Sequence, residues 1–468
     1  MKEACGVFGV SGDPTAAYTT TAGLYALQHR GEESCGVATL HDGQIKVNKY
    51  MGLVHPHRKL LRQMHGEYAI GHVRYSTTGS STIENAQPLV FPSRKFGTFA
   101  LAHNGNLTNS KTLRDSIEAK GGVFLTTTDT EIIGHLLHRS SAESLEGALS
   151  DALSQVEGAY CLVLLTQQGV YAARDRYGFL PLVIGAKENA MIAASETCAL
   201  DAVEADYCRE VLPGEIVRLG RANRIDTVGR LQKTMVHQEG TVTTQPHPSH
   251  CLFEHVYFGR PDSVLFGKSI AQVRKAFGRQ LAREHPVSAD SVVPVPDSGI
   301  DAALGYAEQS KITYGRAFVR SHYGVGRTFI QPEQAQRDFA AKLKLSVIRA
   351  EVQGRRLVVV DDSIVRGTSS KKIVKKLRKA GAAEIHLRIS CPPHKAPCYY
   401  GKNFPTKAEL IANRMTVDET CAFIGADSLK YLSLEGMLAC EQELQHSFCT
   451  ACWTGQYPTK LTDKEKSR

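Results

Sequence analysis

The sequence predicts two successive units of different architecture: a β-rich sandwich layered with helices in the first half, and an α/β unit around a parallel sheet in the second. Three observations carry this reading. To about residue 235, short β-like runs recur at 68–75, 98–103, 159–166, 170–174, 182–184 and 191–194, punctuated by Gly, Asn and Asp and interrupted by helical stretches at 20–30 and 130–138. After about residue 250, apolar runs at 291–296, 356–360 and 384–390 alternate with helical patterns at 269–284, 300–308 and 369–380, the signature of βαβ units. Between them the stretch HQEGTVTTQPHPSHC is polar, Pro-containing and His-rich, and suits a linker or crossover.

The totals agree with such a chain. Its 468 residues are enough for two to four domains, and 42% hydrophobic with 22% charged residues is ordinary globular composition. The formal charge of +9 fits either a basic surface or a small phosphorylated substrate. The densest basic cluster, 371–379, carries Ile373, Val374 and Leu377 as an apolar stripe, so it reads as the solvated face of a helix, and no nucleic-acid partner is expected. No stretch approaches 18 uninterrupted apolar residues, so no membrane span is expected. The opening MKEACGVFGV lacks a signal-peptide pattern, which points to a cytoplasmic protein. Twelve cysteines in a reducing compartment argue against a disulfide framework, and Cys161 in AYCLVLL reads as a core residue.

The strongest site signal in the second half is RRLVVVDDSIVRGTSSKK. A buried strand ends in Asp361 and Asp362, a loop with Gly367 follows, and a helix opens near Ser369. Ligands of open α/β sheets sit at the carboxyl ends of strands. A loop entering a helix offers free N–H groups and a positive dipole end to a phosphate, to which Ser363 and Thr368 can add hydroxyls. Adjacent carboxylates suit ribose hydroxyls or Mg²⁺. This segment resembles the loop of the type I phosphoribosyltransferases that binds 5-phosphoribosyl-1-pyrophosphate (PRPP). The resemblance assigns Asp361 and Asp362 to ribose and metal, and Ser363, Arg366, Gly367 and Thr368 to phosphate.

In the first half, Cys5 acquires meaning from its companions QHRGEESCG, GHVRYSTTG, AHNGNL and TTTDTE, which are polar, glycine-punctuated segments at strand ends. They supply a guanidinium for a substrate α-carboxylate, a carboxylate for an α-ammonium, and an amide with a Gly N–H for an oxyanion. Together they resemble the N-terminal-nucleophile glutamine amidotransferases. With the second-half segments CLFEHVYFGRPDS, VPVPDSG, GRTFIQP, PTKAELIAN and CTACWTGQYP, the chain resembles the amidophosphoribosyltransferase family from Cys5 to about Tyr457.

That resemblance implies a four-layer αββα N-terminal-nucleophile sandwich over 5–235, an α/β phosphoribosyltransferase domain over 250–440, and a C-terminal segment over 441–468. It implies Cys5 as nucleophile, Asn104 and Gly105 as the oxyanion hole, Arg74 and Asp129 on the glutamine carboxylate and amine, and Arg30 supporting this glutamine site. The free α-amino group of the cysteine serves as base in that class, which requires removal of Met1–Ala4. Ser298 in PDSG is expected to join the Mg²⁺–PRPP site, and Arg327 in GRTFIQP to lie on a loop closing over PRPP. The implied activity is glutamine-dependent amination of PRPP to 5-phosphoribosylamine, glutamate and pyrophosphate at the start of purine synthesis. A homotetramer with purine nucleotide feedback is implied with it.

The C-x-x-C pair Cys449–Cys452 is by itself consistent with zinc, a cluster, redox chemistry or chance. The iron–sulfur branch of the family carries a 4Fe–4S cluster, and the matching positions are Cys251, Cys398, Cys449 and Cys452. Cys391, Cys421 and Cys440 are expected to be core residues. The chain departs from the family pattern at Arg176, Leu180 and Glu32, which leaves a paralogue with the same chemistry as the alternative. A PRPP-binding regulator would lack the glutaminase segments, and a sugar-phosphate aminotransferase would lack the VVVDDSIVRGTSS loop.

Overall fold

The structure is a computed structural model and describes residues 5–55, 61–75, 80–231, 235–236, 242–243, 247–320, 345–402, 404 and 406–463. The described residues of the first half, to Leu231, build thirteen strands: β1 (Gly6–Ser11), β2 (Ser34–His41), β3 (Gln44–Met51), β4 (Tyr68–Arg74), β5 (Leu89–Phe91), β6 (Phe99–Leu107), β7 (Gly158–Thr166), β8 (Gly169–Arg174), β9 (Val183–Lys187), β10 (Ala190–Ala194), β11 (Asp206–Glu210), β12 (Glu215–Leu219) and β13 (Ile225–Arg230). They form a seven-stranded sheet ordered β11-β9-β10-β1-β4-β2-β3 and a six-stranded sheet ordered β13-β12-β8-β7-β6-β5.

The alternation of side chains along each strand sets the layers. On β1, Val7 points into the core between the sheets with Ile70, Ala102 and Val163. Phe8 and Val10 point the other way, against Leu24 of the helix Ala16–Ala26. Behind the second sheet the helices Ser110–Glu118, Thr130–Arg139 and Leu145–Gln155 bury Ile117, Ile133 and Leu149. The result is the expected αββα sandwich, with more helix than the two stretches read from the sequence. The layers touch closely: a Cβ at Gly23 would lie 2.2 Å from the Phe8 ring. Phe8 is fully buried. Phe8→Ala is therefore expected to cost about 3–5 kcal/mol, read as a lowered urea midpoint with unchanged slope.

The second half contains a four-stranded parallel sheet, ordered Ser291–Pro294, Arg356–Asp361, Glu384–Ile389, Ser428–Tyr431. Helices Ile270–Glu284, Ile300–Ser310, Thr368–Lys379 and Val417–Ile424 accompany it. Glycines allow the first two helices to cross in backbone contact: a Cβ at Gly278 would meet the Ala302 carbonyl at 1.9 Å, and one at Gly305 the Lys275 carbonyl at 2.0 Å. Glu254–Phe258 forms a π-helical turn that the sequence reading left unassigned. The two halves are stitched together by the end of the chain. His250–Cys251 pairs in parallel with Phe448–Cys449. The Asp463 carboxylate accepts hydrogen bonds from Lys111 N at 2.6 Å and Thr112 Oγ1 at 2.7 Å, at the start of the helix Ser110–Glu118. No helix among the described residues is long and apolar enough to cross a membrane.

Candidate functional site

Cys5 stands at the entry to β1, and the pairing of Gly6 with Val73 on β4 brings the end of β4 beside it. The Cys5 thiol donates to the Tyr75 carbonyl at 3.2 Å and accepts from the Tyr75 N–H at 3.4 Å. Burial pushes this thiol above its ordinary value, while the Tyr75 contact and the Arg74 guanidinium pull it down and Asp129 and Glu33 push it up. Arg74 and Asp129 thus lie close enough to Cys5 to act on its thiol electrostatically. Arg74 is buried and donates to the Ser80 carbonyl at 3.1 Å. The remainder of the GHVRYSTTG segment, 76–79, lies outside the described residues.

Asp129 immediately precedes the helix Thr130–Arg139, yet its carboxylate does not cap it. It accepts instead from Leu107 N at 2.9 Å and faces His103 Nδ1 at 3.5 Å. Burial alone would raise its carboxyl, but His103 and the Leu107 N–H outweigh burial and hold it below the ordinary carboxylate range. Asn104 on β6 is 1% exposed, and among the described residues neither its amide nitrogen nor its amide oxygen has a hydrogen-bond partner. Such a group costs about 1–3 kcal/mol when left unsatisfied, so a bound oxygen that accepts from it would recover that cost. Gly105 beside it has φ +148°, and a Cβ there would lie 2.1 Å from the Ala159 carbonyl.

Arg30 does not face the thiol. Its Nε donates to the Cys5 carbonyl at 3.0 Å, and its two terminal nitrogens bind Glu196 at 2.5 Å and Glu254 at 2.7 and 3.0 Å. Glu254 also receives Lys402, and Glu196 accepts from the Arg260 N–H at 2.9 Å and Ser263 Oγ at 2.7 Å. Burial pushes the Glu254 carboxyl up, but Arg30 and Lys402 prevail and bring it to about 2 from 4.5. Its folded value is depressed, so the stability it contributes is present above pH 4.5 and is lost as pH falls towards 2. Acid titration followed by fluorescence of Trp453, the single tryptophan, is expected to show that loss between these values. The Glu254→Gln protein should lose much of the pH dependence in that window.

The second candidate centre is built on the strand–loop–helix around Asp361. Asp361 ends the strand Arg356–Asp361, and Gly367, at φ +74°, turns the chain into the helix Thr368–Lys379. A Cβ at Gly367 would meet Ile411 at 2.7 Å, so this turn is fixed by both conformation and space. Ser298 and Ser363 both donate to the Asp362 carboxylate. Asp361 takes the Asp362 N–H at 3.0 Å, and burial together with the neighbouring Asp362 charge raises its carboxyl well above the ordinary range. Asp361, Asp362, Ser363, Arg366, Gly367 and Thr368 line one hollow. The Arg366 guanidinium reaches Glu409 at 2.7 Å, an exposed pair. A second hollow shares Tyr257, Val295, Ser298 and Ile373 with the first and reaches His29 and Glu32 of the other half. Arg327 lies outside the described residues.

Cys251, Cys398, Cys449 and Cys452 line one small cavity, with Phe179 of the first half and Lys402 of the second. All twelve cysteines are free thiols in the described structure. Burial pushes the Cys251 thiol up to about 12, and burial also raises the other three. Among the described residues no three His, Cys, Asp or Glu side chains converge closely enough to hold one metal ion. Cys391 is buried in the second-half core, and Cys421 and Cys440 pack against its edge, in keeping with their expected roles. Leu180 is fully buried between the sheets, where its carbonyl accepts Arg174 Nε at 2.8 Å. Arg176 is half-buried and donates to the Ser154 carbonyl at 3.3 Å. The sequence reading missed Glu196, Glu254, His103 and Lys402; an acid inside the apolar run CLFEHVYF was the available signal for Glu254.

Comparison with known proteins gives a consistent picture. A family described as "Glutamine amidotransferase domain" matches residues 72–202. "Amidophosphoribosyltransferase 1, chloroplastic" of Arabidopsis thaliana is 47% identical over all of this chain and 81% of that protein. The amidophosphoribosyltransferase of Methanocaldococcus jannaschii is 44% identical over 98% of both. Among solved structures, the glutamine PRPP amidotransferase from B. subtilis complexed with ADP and GMP superposes with a TM-score of 0.87 at 42% identity, over 98% of each chain.

Proposed function

The chain belongs to the amidophosphoribosyltransferase family, and on that premise we propose how its residues divide the work of a glutamine-dependent PRPP amidotransferase. The observation that carries the reading is the pair of centres in one chain: Cys5 with Arg74, Asp129 and the unbonded Asn104 amide, and the Asp361–Thr368 loop, whose adjoining hollow reaches His29 and Glu32 of the first half. The units are 5–235, 250–440 and a cysteine-bearing end, 441–468.

Glutamine binds with its α-carboxylate on Arg74 and its α-ammonium on Asp129. Cys5 Sγ attacks the side-chain amide carbon. The α-amino group of Cys5, freed by loss of Met1–Ala4, takes the thiol proton and delivers it to the departing ammonia. Asn104 and the Gly105 N–H stabilise the oxyanion. Water then cleaves the thioester to glutamate. Ammonia passes inside the protein to the second centre, forms a bond to C1 of PRPP and displaces pyrophosphate, giving 5-phosphoribosylamine for purine synthesis. Arg30 holds the Cys5 carbonyl and so positions the nucleophile without touching glutamine. Gly105→Ala, which forces the oxyanion-hole backbone to shift, is expected to lower glutamate release by about 10²-fold and to leave ammonia-dependent turnover near the native rate.

Mg²⁺ suits the second centre. Two buried carboxylates stand side by side, with burial and the neighbouring charge raising Asp361 well above its ordinary value, and oxygen donors with few protein ligands match how Mg²⁺ binds alongside substrate phosphates. Asp361, Asp362 and Ser298 would hold it, and it would neutralise charge on the leaving pyrophosphate. Arg327, with Ser363, Arg366, Gly367 and Thr368, completes the PRPP contacts. Four thiols around one cavity, with no histidine lining it, suit a 4Fe–4S cluster. Cys251, Cys398, Cys449 and Cys452 would hold it as a structural tie between the halves. We also propose a cytoplasmic homotetramer inhibited by purine nucleotides, in keeping with the ADP and GMP of the B. subtilis complex.

The deciding experiment measures glutamate and pyrophosphate from anaerobically purified protein, with and without PRPP. Stoichiometric release that PRPP stimulates is expected. No glutamate from protein whose N-terminus is verified as Cys5 would overturn the glutaminase assignment. Iron and acid-labile sulfide are expected at about four each per chain, and zinc in their place would overturn the cluster.

A further inference from the structure

A buried ladder of alternating charge runs from the cavity of the four cysteines to the backbone of Cys5. Lys402, 3% exposed, binds Glu254, which is fully buried. Lys402 also lies over the Phe258 ring at 4.0 Å. Glu254 takes both terminal nitrogens of Arg30, and Arg30 Nε reaches the Cys5 carbonyl at 3.0 Å. Each of these groups sits in a different functional segment. Lys402 follows Cys398 and lines the same cavity as the four thiols. Glu254 opens the π-helical turn Glu254–Phe258, and Tyr257 on that turn lines both hollows of the phosphate-loop centre. Cys5 is the proposed nucleophile.

From this arrangement we infer that Glu254 is the positioning residue that couples occupancy of the PRPP centre to the geometry of Cys5. It does so by tying the turn that carries Tyr257 to Arg30, and the loop that carries Cys398 to both through Lys402. The inference rests on the reading of Cys5 as the glutaminase nucleophile. The physical basis is that a carboxylate shared by two buried cations has few alternative partners. A displacement of the turn must therefore be followed by Arg30 or leave a buried charge unpaired. Arg30 in turn holds the carbonyl of the residue whose thiol reacts. A π-helical turn is a fitting place for such a carboxylate, since its looser ladder marks functional positions in helices.

The test uses the full-length, anaerobically purified protein and two variants, Glu254→Gln and Lys402→Met. Glutamate release is measured with and without PRPP, ammonia-dependent pyrophosphate release is measured separately, and alkylation of Cys5 by a glutamine-like diazoketone reports the nucleophile itself. In the native chain Cys5 should be alkylated and PRPP should raise glutamate release. In Glu254→Gln the PRPP stimulation should fall at least tenfold, and in Lys402→Met by a smaller factor. Ammonia-dependent turnover should stay within twofold in both variants. Native-like stimulation in both soluble variants would overturn the coupling role. So would parallel loss of ammonia- and glutamine-dependent turnover, since that marks a merely structural residue. If Glu254→Gln does not fold, Lys402→Met decides by the same readouts. Failure of the diazoketone to label native Cys5 would instead defeat the underlying nucleophile assignment.

Discussion

Replacement of Cys5 by alanine is expected to reduce glutamine-dependent turnover by at least ~10³-fold, while ammonia-dependent turnover stays within about twofold of the native rate. The asymmetry follows from the geometry. Cys5 is 7% exposed, and its thiol bonds only to the Tyr75 backbone among the described residues. No histidine is bonded to it there, so no Cys–His pair activates it. His72, paired with Val7 across the sheet, has its value brought down to about 3 chiefly by burial, and its Nε2 bonds the His103 carbonyl at 3.0 Å. The remaining base is the α-amino group that cleavage before Cys5 would create. Chemical acetylation of that amine should therefore mimic the alanine variant. The acid pair at Asp361 and Asp362 lies in the other half and has no bond to Cys5, which is why ammonia supplied from solution should bypass the lesion. Equal loss of both activities in Cys5→Ala would mean that the thiol serves the second centre or the fold.

The parts of this molecule legible in the sequence are those in which one segment carries its own logic. The strand ending at Asp361, the turn at Gly367 and the helix from Thr368 form one contiguous strand–loop–helix, and the sequence reading placed each within a residue or two. The strand pair β2 and β3 was overlooked although Asp42-Gly43 between them is a strong hairpin signal, with φ values of +45° and +73°. The helix Leu145–Gln155 likewise announces itself through Leu145, Leu149, Ala152 and Leu153 at helical spacing, with Ser144 capping it through the Gly147 N–H. Ser110–Glu118 was harder, because it buries Ile117 alone and reads as a solvated segment. The Arg30–Glu254–Lys402 ladder was beyond sequence reasoning for a different reason. Its members stand 224 and 148 residues apart, and a buried carboxylate becomes interpretable only when the cations that stabilise it are known. Arg30 illustrates the consequence: its segment marks it as part of the glutamine site, but only the fold shows that its donors are already occupied.

At the second centre, Asp362→Ala is expected to remove turnover with both nitrogen sources by roughly 10²–10⁴-fold, because glutamine-derived and external ammonia meet the same activated ribose. The estimate takes two charge-assisted contacts, at about 1.5–3 kcal/mol each, lost together. Asp362 is the hub of its loop, since Ser298 from one strand end and Ser363 from the next both donate to it. Its removal should therefore disturb ribose, cation and loop at once. Asp361 occupies a different position. Burial and the Asp362 charge raise its carboxyl well above the ordinary range, and it already accepts the Asp362 N–H. Asp361→Asn imitates the protonated partner and preserves most of the loop, and it should weaken PRPP and Mg²⁺ binding while leaving a larger residual rate than Asp362→Ala. Glutamate release measured without PRPP should be unchanged in both variants, because that reaction is confined to the first half. A fall in this basal rate would show that the acid pair sustains the glutaminase fold, whereas loss of turnover with only its PRPP stimulation abolished would assign both carboxylates to the ribose phosphate.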